Sequence, residues 1–252
     1  SAGYNVFAGG LIGYVGATVD TVLNIEYCSA TEDVYSRTNL DSSSYRVGTC
    51  AGGLLGYAGV SGESSKLNIS GCYALGDAKT ECTYPGNAGG FSSYFSVSSG
   101  ALNVQNCYCL GNVSGKTISS SLGNDYICAG SFAGFVTSLT TLENCFATGN
   151  VKDTGSPDSY VGTFLGYEFL PSAQSPKVVI KNCYYPESIK TVGKNVTYTA
   201  TLVKNESLSS KESYIGFDFT DVWSILGNKY PSLKANAQSV YRVAFLKDGD
   251  VY

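Results

Sequence analysis

Ala51-Gly52-Gly53-Leu54-Leu55-Gly56-Tyr57, followed by Gly71-Cys72-Tyr73-Ala74, decides the fold of this chain, because both blocks recur together. The first returns as Ala8-Gly9-Gly10-Leu11-Ile12-Gly13-Tyr14, Ala88-Gly89-Gly90-Phe91-Ser92-Ser93-Tyr94, Ala129-Gly130-Ser131-Phe132-Ala133-Gly134-Phe135 and Val161-Gly162-Thr163-Phe164-Leu165-Gly166-Tyr167. The second returns around Cys28, Cys107, Cys145 and Cys183, so the central cysteines are 44, 35, 38 and 38 residues apart. Five linked copies with constant blocks and variable spacers are the signature of a solenoid, whose coil positions are constrained by stacking while loops accept insertions.

Within each unit, apolar residues lie five and three positions before the cysteine: Leu23 and Ile25, Leu67 and Ile69, Leu102 and Val104, Val178 and Ile180. The fourth unit keeps Leu142 with Thr140. Such a pair shares one strand face, and the cysteine then falls on the wrong parity, which requires a bend. Gly71, Asn106, Asn144 and Asn182 precede the cysteines. These residue types tolerate a left-handed backbone. Tyr27 departs from the pattern and suggests an irregular first coil.

The expected fold is therefore all-β: a parallel β-helix of about five coils, with three short strands per coil. A right-handed coil is expected because parallel crossovers usually are. Stacking predicts an inward column of Cys28, Cys72, Cys107, Cys145 and Cys183, and an amide ladder of Asn106, Asn144 and Asn182. In the Gly-rich block, strict alternation places Leu11 and Gly13 on one face and Ile12 and Tyr14 on the other, leaving open which is buried.

The repeats occupy residues 1–187. Residues 188–234 lose the pattern, hold the single tryptophan, Trp223, and are expected to cap the open strand edge. Residues 235–252 are expected to be a linker and the start of a following module, with Tyr241–Leu246 alternating as a strand and Lys247–Asp250 as a turn.

Composition limits the function. Charged residues are 14%, the net charge is −4, and no basic run marks a nucleic-acid interface. No apolar run is long enough for a membrane helix. There is no histidine, so a Ser-His-Asp or Cys-His nucleophile pair cannot form within this chain. No tight CxxC spacing points to zinc, and no catalytic, cofactor-binding or metal residue is assigned.

Asp41, Asp77, Asp125, Asp153 and Asp158 are read as solvated loop charges at no repeated position, not as a carboxylate pair for glycoside chemistry. The cysteines are read as small buried hydrophobes, with Cys50 and Cys128 equivalent but two coils apart, and with Cys82 the most exposed thiol. Asn68, Asn112, Asn195 and Asn205 stand in N-x-S/T sequons that arise readily by chance in so polar a chain. Tyr4, Tyr84, Tyr108 and Tyr184 are considered for stacking on sugars, against the plainer reading as strand residues.

Gly-Gly-Leu-x-Gly-Tyr, a spacer, and Asn-Cys-Tyr-Ala-x-Gly-x-Val resemble the GLUG motif of bacterial surface proteins. Cys107-Tyr108-Cys109-Leu110-Gly111-Asn112-Val113 and Cys145-Phe146-Ala147-Thr148-Gly149-Asn150-Val151 are the nearest copies, and the resemblance covers roughly residues 8–234. That family includes adhesin-like proteins and non-catalytic parts of some IgA-cleaving peptidases. The resemblance implies a non-catalytic, extracellular, secreted or cell-surface segment with an adhesin-like, spacer or display role. Its implied partners are host glycans, surface proteins and neighbouring domains of a longer chain, with no cofactor, no nucleic acid and no membrane insertion. The alternatives are a polysaccharide-degrading β-helix enzyme and an accessory domain of a surface peptidase.

Overall fold

The computed structural model describes residues 3–38, 46–83, 85–118, 126–153, 158–172, 175–192, 194–195, 200–225, 229–234, 246–247 and 250–251. Successive units stack as coils of a parallel β-helix, and each coil visits five sheets in turn, not the three expected. In the second coil these strands are Arg46–Gly52, Leu55–Ser61, Lys66–Ser70, Tyr73–Ala74 and Ala78–Cys82. The first and fourth sheets hold six strands and the others five. The two extra strands, Lys194–Asn195 and Thr201–Val203, come from the segment expected to lie outside the repeats. The ladder thus runs to Val203 and not to residue 187.

The predicted bend is present in every coil. Gly71, Asn106, Asn144 and Asn182 have φ of 64°, 52°, 52° and 51°, and Tyr27 has 54°. Tyr27 therefore keeps the regular geometry despite its side chain; stacking imposes a left-handed conformation that an isolated tyrosine would resist by roughly 1–2 kcal/mol. The bend turns both the cysteine and the residue two beyond it inward. Cys72, Cys107 and Cys145 are fully buried in a vertical column, Ala74, Cys109 and Ala147 in another. In the amide ladder, Asn182 Nδ2 donates to Asn144 Oδ1 at 3.0 Å. Asn106 Oδ1 instead accepts from the Trp223 indole at 3.3 Å.

Between the first and second sheets the Gly-rich block is two strands joined by a kink, which explains why alternation could not assign its faces. Leu54, Phe91, Phe132 and Phe164 at the kink are inward and buried, and so are Leu55 and Leu165 one position later. Phe91, Phe132 and Phe164 stack with centroids 4.9 Å apart at each step. The tyrosine two further on then faces outward. A second, smaller core containing Ala88, Val113, Ile127 and Val151 lies between the first and fifth sheets.

Three corners of the coil are nearly constant in length and two are not. The kink always runs from Ala8 to Ile12, Ala51 to Leu55, Ala88 to Ser92, Ala129 to Ala133 or Val161 to Leu165. Register across the Asn bend is equally regular, and the fourth-to-fifth corner lengthens only in the last coil. Length differences collect before the first sheet and after the second.

Residues 205–225 and 229–234 pack along the flank of the stack and not over its end. Tyr214, Phe217, Trp223 and Leu233 are buried against Tyr108, Phe146 and Tyr184, the outward column of the fourth sheet. The segment is a strap along the flank, with Trp223 on Phe217 at 4.3 Å and the Tyr184 hydroxyl donating to the Ile215 carbonyl at 2.9 Å. Trp223–Ile225 pairs antiparallel with Pro231–Leu233. Trp223→Ala removes a fully buried indole and is expected to cost the strap about 3–5 kcal/mol. Limited proteolysis should then cut within 205–234 while the far-UV circular dichroism of the coils persists; simultaneous loss of both would contradict a flank location. Beyond the strap, Leu246–Lys247 pairs antiparallel with Asp250–Val251, and 241–245 lies outside the described residues.

Candidate functional site

The last residue of the Gly-rich block recurs as Tyr14, Tyr57, Tyr94, Phe135 and Tyr167, in register on the outward face of the second sheet. Alternation after the kink aims each ring outward, and coil stacking sets the rings above one another. Centroid separations along the column are 4.7, 5.2, 4.5 and 5.4 Å. Tyr14 is 60% exposed and the other four half-buried. Tyr57 lies across Gly59, where a Cβ would stand 2.6 Å from its ring.

The first sheet supplies the facing wall. One of its columns runs Phe7, Cys50, Asn87, Cys128 and Tyr160 and ends in register at Lys194; the column beside it contains Asn5, Gly48, Pro85 and Tyr126. Phe7 contacts Tyr14 and Tyr57, and Tyr160 meets Tyr167 at 4.5 Å, so the walls close on each other at the kink. The groove between them has two lobes of about 200 and 340 Å³. They share Tyr94, Tyr126 and Phe135 and so form one channel along the helix axis. Among the described residues, neither lobe's lining contains Asp, Glu, Lys or Arg.

Burial pushes the Tyr94 phenol up to about 12, with neighbouring Tyr57 acting in the same direction. Burial also raises Tyr57 and Tyr167. These phenols are neutral at physiological pH. Cys50 and Cys128 at the base are buried and pushed up by the same desolvation, so neither is an activated nucleophile.

A larger cavity, about 390 Å³, lies between the strap and the left-handed bends, lined in part by Tyr27, Gly71, Asn106 and Asp221. It opens on backbone corners, and among its described lining residues Asp221 is the single carboxylate. The aromatic channel is the better candidate because it repeats coil by coil.

The residues singled out from sequence fall elsewhere. Tyr108 and Tyr184 are 4% exposed beneath the strap. The Tyr4 side chain, Tyr84, Asp41 and Asp125 lie outside the described residues. Cys82 is fully buried in the strand Ala78–Cys82, a correction to its expected exposure: inward parity places it beside Gly86. None of the nine cysteines is joined in a disulfide. Asp153 is inward and buried, and Asp158 exposed.

Asp77 does occupy a repeated position. Asp33 accepts from the Asp77 amide at 2.8 Å, Asp77 from Asn112 at 2.7 Å, Asn112 from Asn150 at 3.1 Å and Asn150 from Lys190 at 2.8 Å. This ladder satisfies turn amides from coil to coil, a structural role. Asn68, a sequon residue, stands in another ladder between Asn24 and Asn103. Among the described residues no group of three or more His, Cys, Asp or Glu side chains could hold a metal ion.

The architecture has a solved counterpart. The crystal structure of a putative immunoglobulin A1 protease from Bacteroides ovatus superposes with a TM-score of 0.57. It is 18% identical, over 93% of this chain and 76% of that one. At that identity the likeness concerns the fold. No family model and no curated protein sequence matches this chain.

Proposed function

We propose that this chain is a non-catalytic β-solenoid segment of a secreted or cell-surface protein, using the aromatic channel as an adhesin-like contact face. The observation that carries this reading is the outward five-ring column, three of whose rings, Tyr94, Phe135 and Tyr167, line a groove with no charged side chain among its described lining residues. Outward aromatics are normally scattered singly; a contiguous patch marks a contact site. The same molecule covers its other aromatic column, Tyr108, Phe146 and Tyr184, with its own strap. Among the described residues that line the channel there is no carboxylate pair for acid–base cleavage of a polysaccharide.

A second reading, accessory segment of a surface peptidase, is favoured by the name of the Bacteroides ovatus protein and by the GLUG resemblance. It is compatible with the first, since the peptidase chemistry would reside in other domains.

The test is attachment of the purified chain to host-cell and mucus surfaces. Tyr57→Ala with Tyr94→Ala is expected to lower retention at least tenfold. Tyr35→Ala, a 50%-exposed tyrosine on the fifth sheet, should leave it unchanged. Equal retention by all three proteins overturns the channel as the contact face, and released reducing ends from a polysaccharide panel overturn the non-catalytic reading.

A further inference from the structure

We infer that the channel takes an uncharged, extended glycan chain lying along the helix axis; this rests on the contact-face reading above and names its ligand. Three observations point the same way.

The first is electrostatic. Among the described residues, those that line the two lobes include no cation and no anion; charged positions lie at the far end of the wall, where Lys194 follows Tyr160 in register. A polyuronate, a sulfated glycan or a nucleic-acid strand would place its charges against rings with no cation among the described lining residues to pair them, and burying an unpaired charge is expensive. A phosphate backbone in particular needs lysine and arginine along its path. A neutral polymer incurs no such penalty.

The second is the mixture of surfaces. Aromatic faces supply flat apolar area, while the Tyr57, Tyr94 and Tyr167 hydroxyls and the Asn5 and Asn87 amides supply donors and acceptors. A pyranose ring presents both: an apolar face of C–H groups and a rim of hydroxyls. Tyrosine suits this pairing because it offers large contact area at little cost in side-chain entropy. The raised phenols remain hydroxyl donors across the physiological range.

The third is periodicity. The rings repeat once per coil, the two lobes are continuous, and the column spans roughly 20 Å at a strand spacing of about 4.8 Å. A compact ligand would fill one lobe. A linear polymer with a short repeat uses the whole length, gaining a similar contact at each coil.

The two corners whose length varies flank this channel. Pro85 and Tyr126 stand where the chain enters the first sheet, and Phe169 where it leaves the second. These rims are where recognition of linkage and branching would be set.

The experiment uses affinity electrophoresis and calorimetry of the purified chain with neutral linear β-glucans and mannans, a polyuronate, a sulfated glycan and a proline-rich peptide. The expected result is retardation by at least one neutral polymer. Affinity should rise with oligomer length from one to about five sugars, be unchanged between 0.05 and about 1 M salt, and fall at least tenfold in Tyr94→Ala. Preference for the polyuronate, the sulfated glycan or the peptide overturns the inference. So does failure of every neutral polymer while Tyr57→Ala with Tyr94→Ala still abolishes surface attachment; in that case the contact face stands and only its ligand is wrong.

Discussion

Gly52→Ala is expected to prevent this chain from folding, or to lower its stability by more than about 4 kcal/mol. A Cβ at Gly52 would sit 1.8 Å from the Leu55 carbonyl oxygen and 2.6 Å from the Ser93 amide nitrogen. Both are backbone atoms of the kink, held by coil-to-coil hydrogen bonds such as Leu55 N to Phe91 O at 3.0 Å, and no side-chain rotation relieves the clash. The same column contains Gly89, 1.9 Å from the Ser92 carbonyl by the same construction. Gly16→Ala is the matched control, since its Cβ finds only the Tyr14 ring at 3.5 Å, an ordinary contact. Urea unfolding of the two variants separates steric exclusion at the kink from a general intolerance of alanine in strands. Equal midpoints would remove the kink from the account of the fold.

Stability is also expected to collapse in alkali. Burial pushes the Cys107, Cys109 and Cys145 thiols well up, and raises Cys128 and Cys50 as well. Each of the first three donates to a backbone carbonyl, Cys109 to Ser131 at 3.0 Å, Cys107 to Gln105 at 3.2 Å and Cys145 to Glu143 at 3.3 Å. A thiolate would lose that bond and face the oxygen as an anion.

An acid whose folded pKa is raised contributes stability that is complete below its unfolded pKa. That contribution is lost as pH rises towards the folded value. Unfolded thiols ionise near 8.5, so the loss begins there and grows by about 1.4 kcal/mol per pH unit for each thiol. Five thiols together set an upper limit of about 7 kcal/mol per unit, offset in part by Cys72, whose thiol is lowered by its hydrogen bond with Cys107; Tyr94 and Tyr214, also raised, add to the loss above pH 10. Under reducing conditions the denaturant midpoint should be level from pH 6 to 8 and fall sharply by pH 10. A level profile to pH 10.5 would show that the cysteine column is open to solvent.

Much of the architecture is legible in the sequence because stacking repeats each constraint. The cysteine spacings are the strand registers, and Asn or Gly before the cysteine marks a left-handed residue wherever it occurs. Tyr27 shows the limit of residue preference: its neighbours in the stack decide its conformation. The kink defeats alternation because the close approach at Gly52 lets two successive residues, Leu54 and Leu55, both point inward. Exposure of Tyr108 and Tyr184 could not be judged locally, since what buries them lies far along the chain in the strap. The channel, by contrast, left a signal in plain view: an aromatic at the last position of all five Gly-rich blocks. Read as single tyrosines such residues are strand filler; read as a column they are a surface.

The unequal corners have an evolutionary consequence. Segments free to lengthen or shorten border the channel on both sides, while the kink that forms its floor keeps one length and so preserves the register of every ring. New rim shapes can therefore be sampled by insertion and deletion without re-solving the folding problem. Duplicating a coil would lengthen the aromatic channel by one ring step, so that its length and its rim shape become separately adjustable properties of one scaffold.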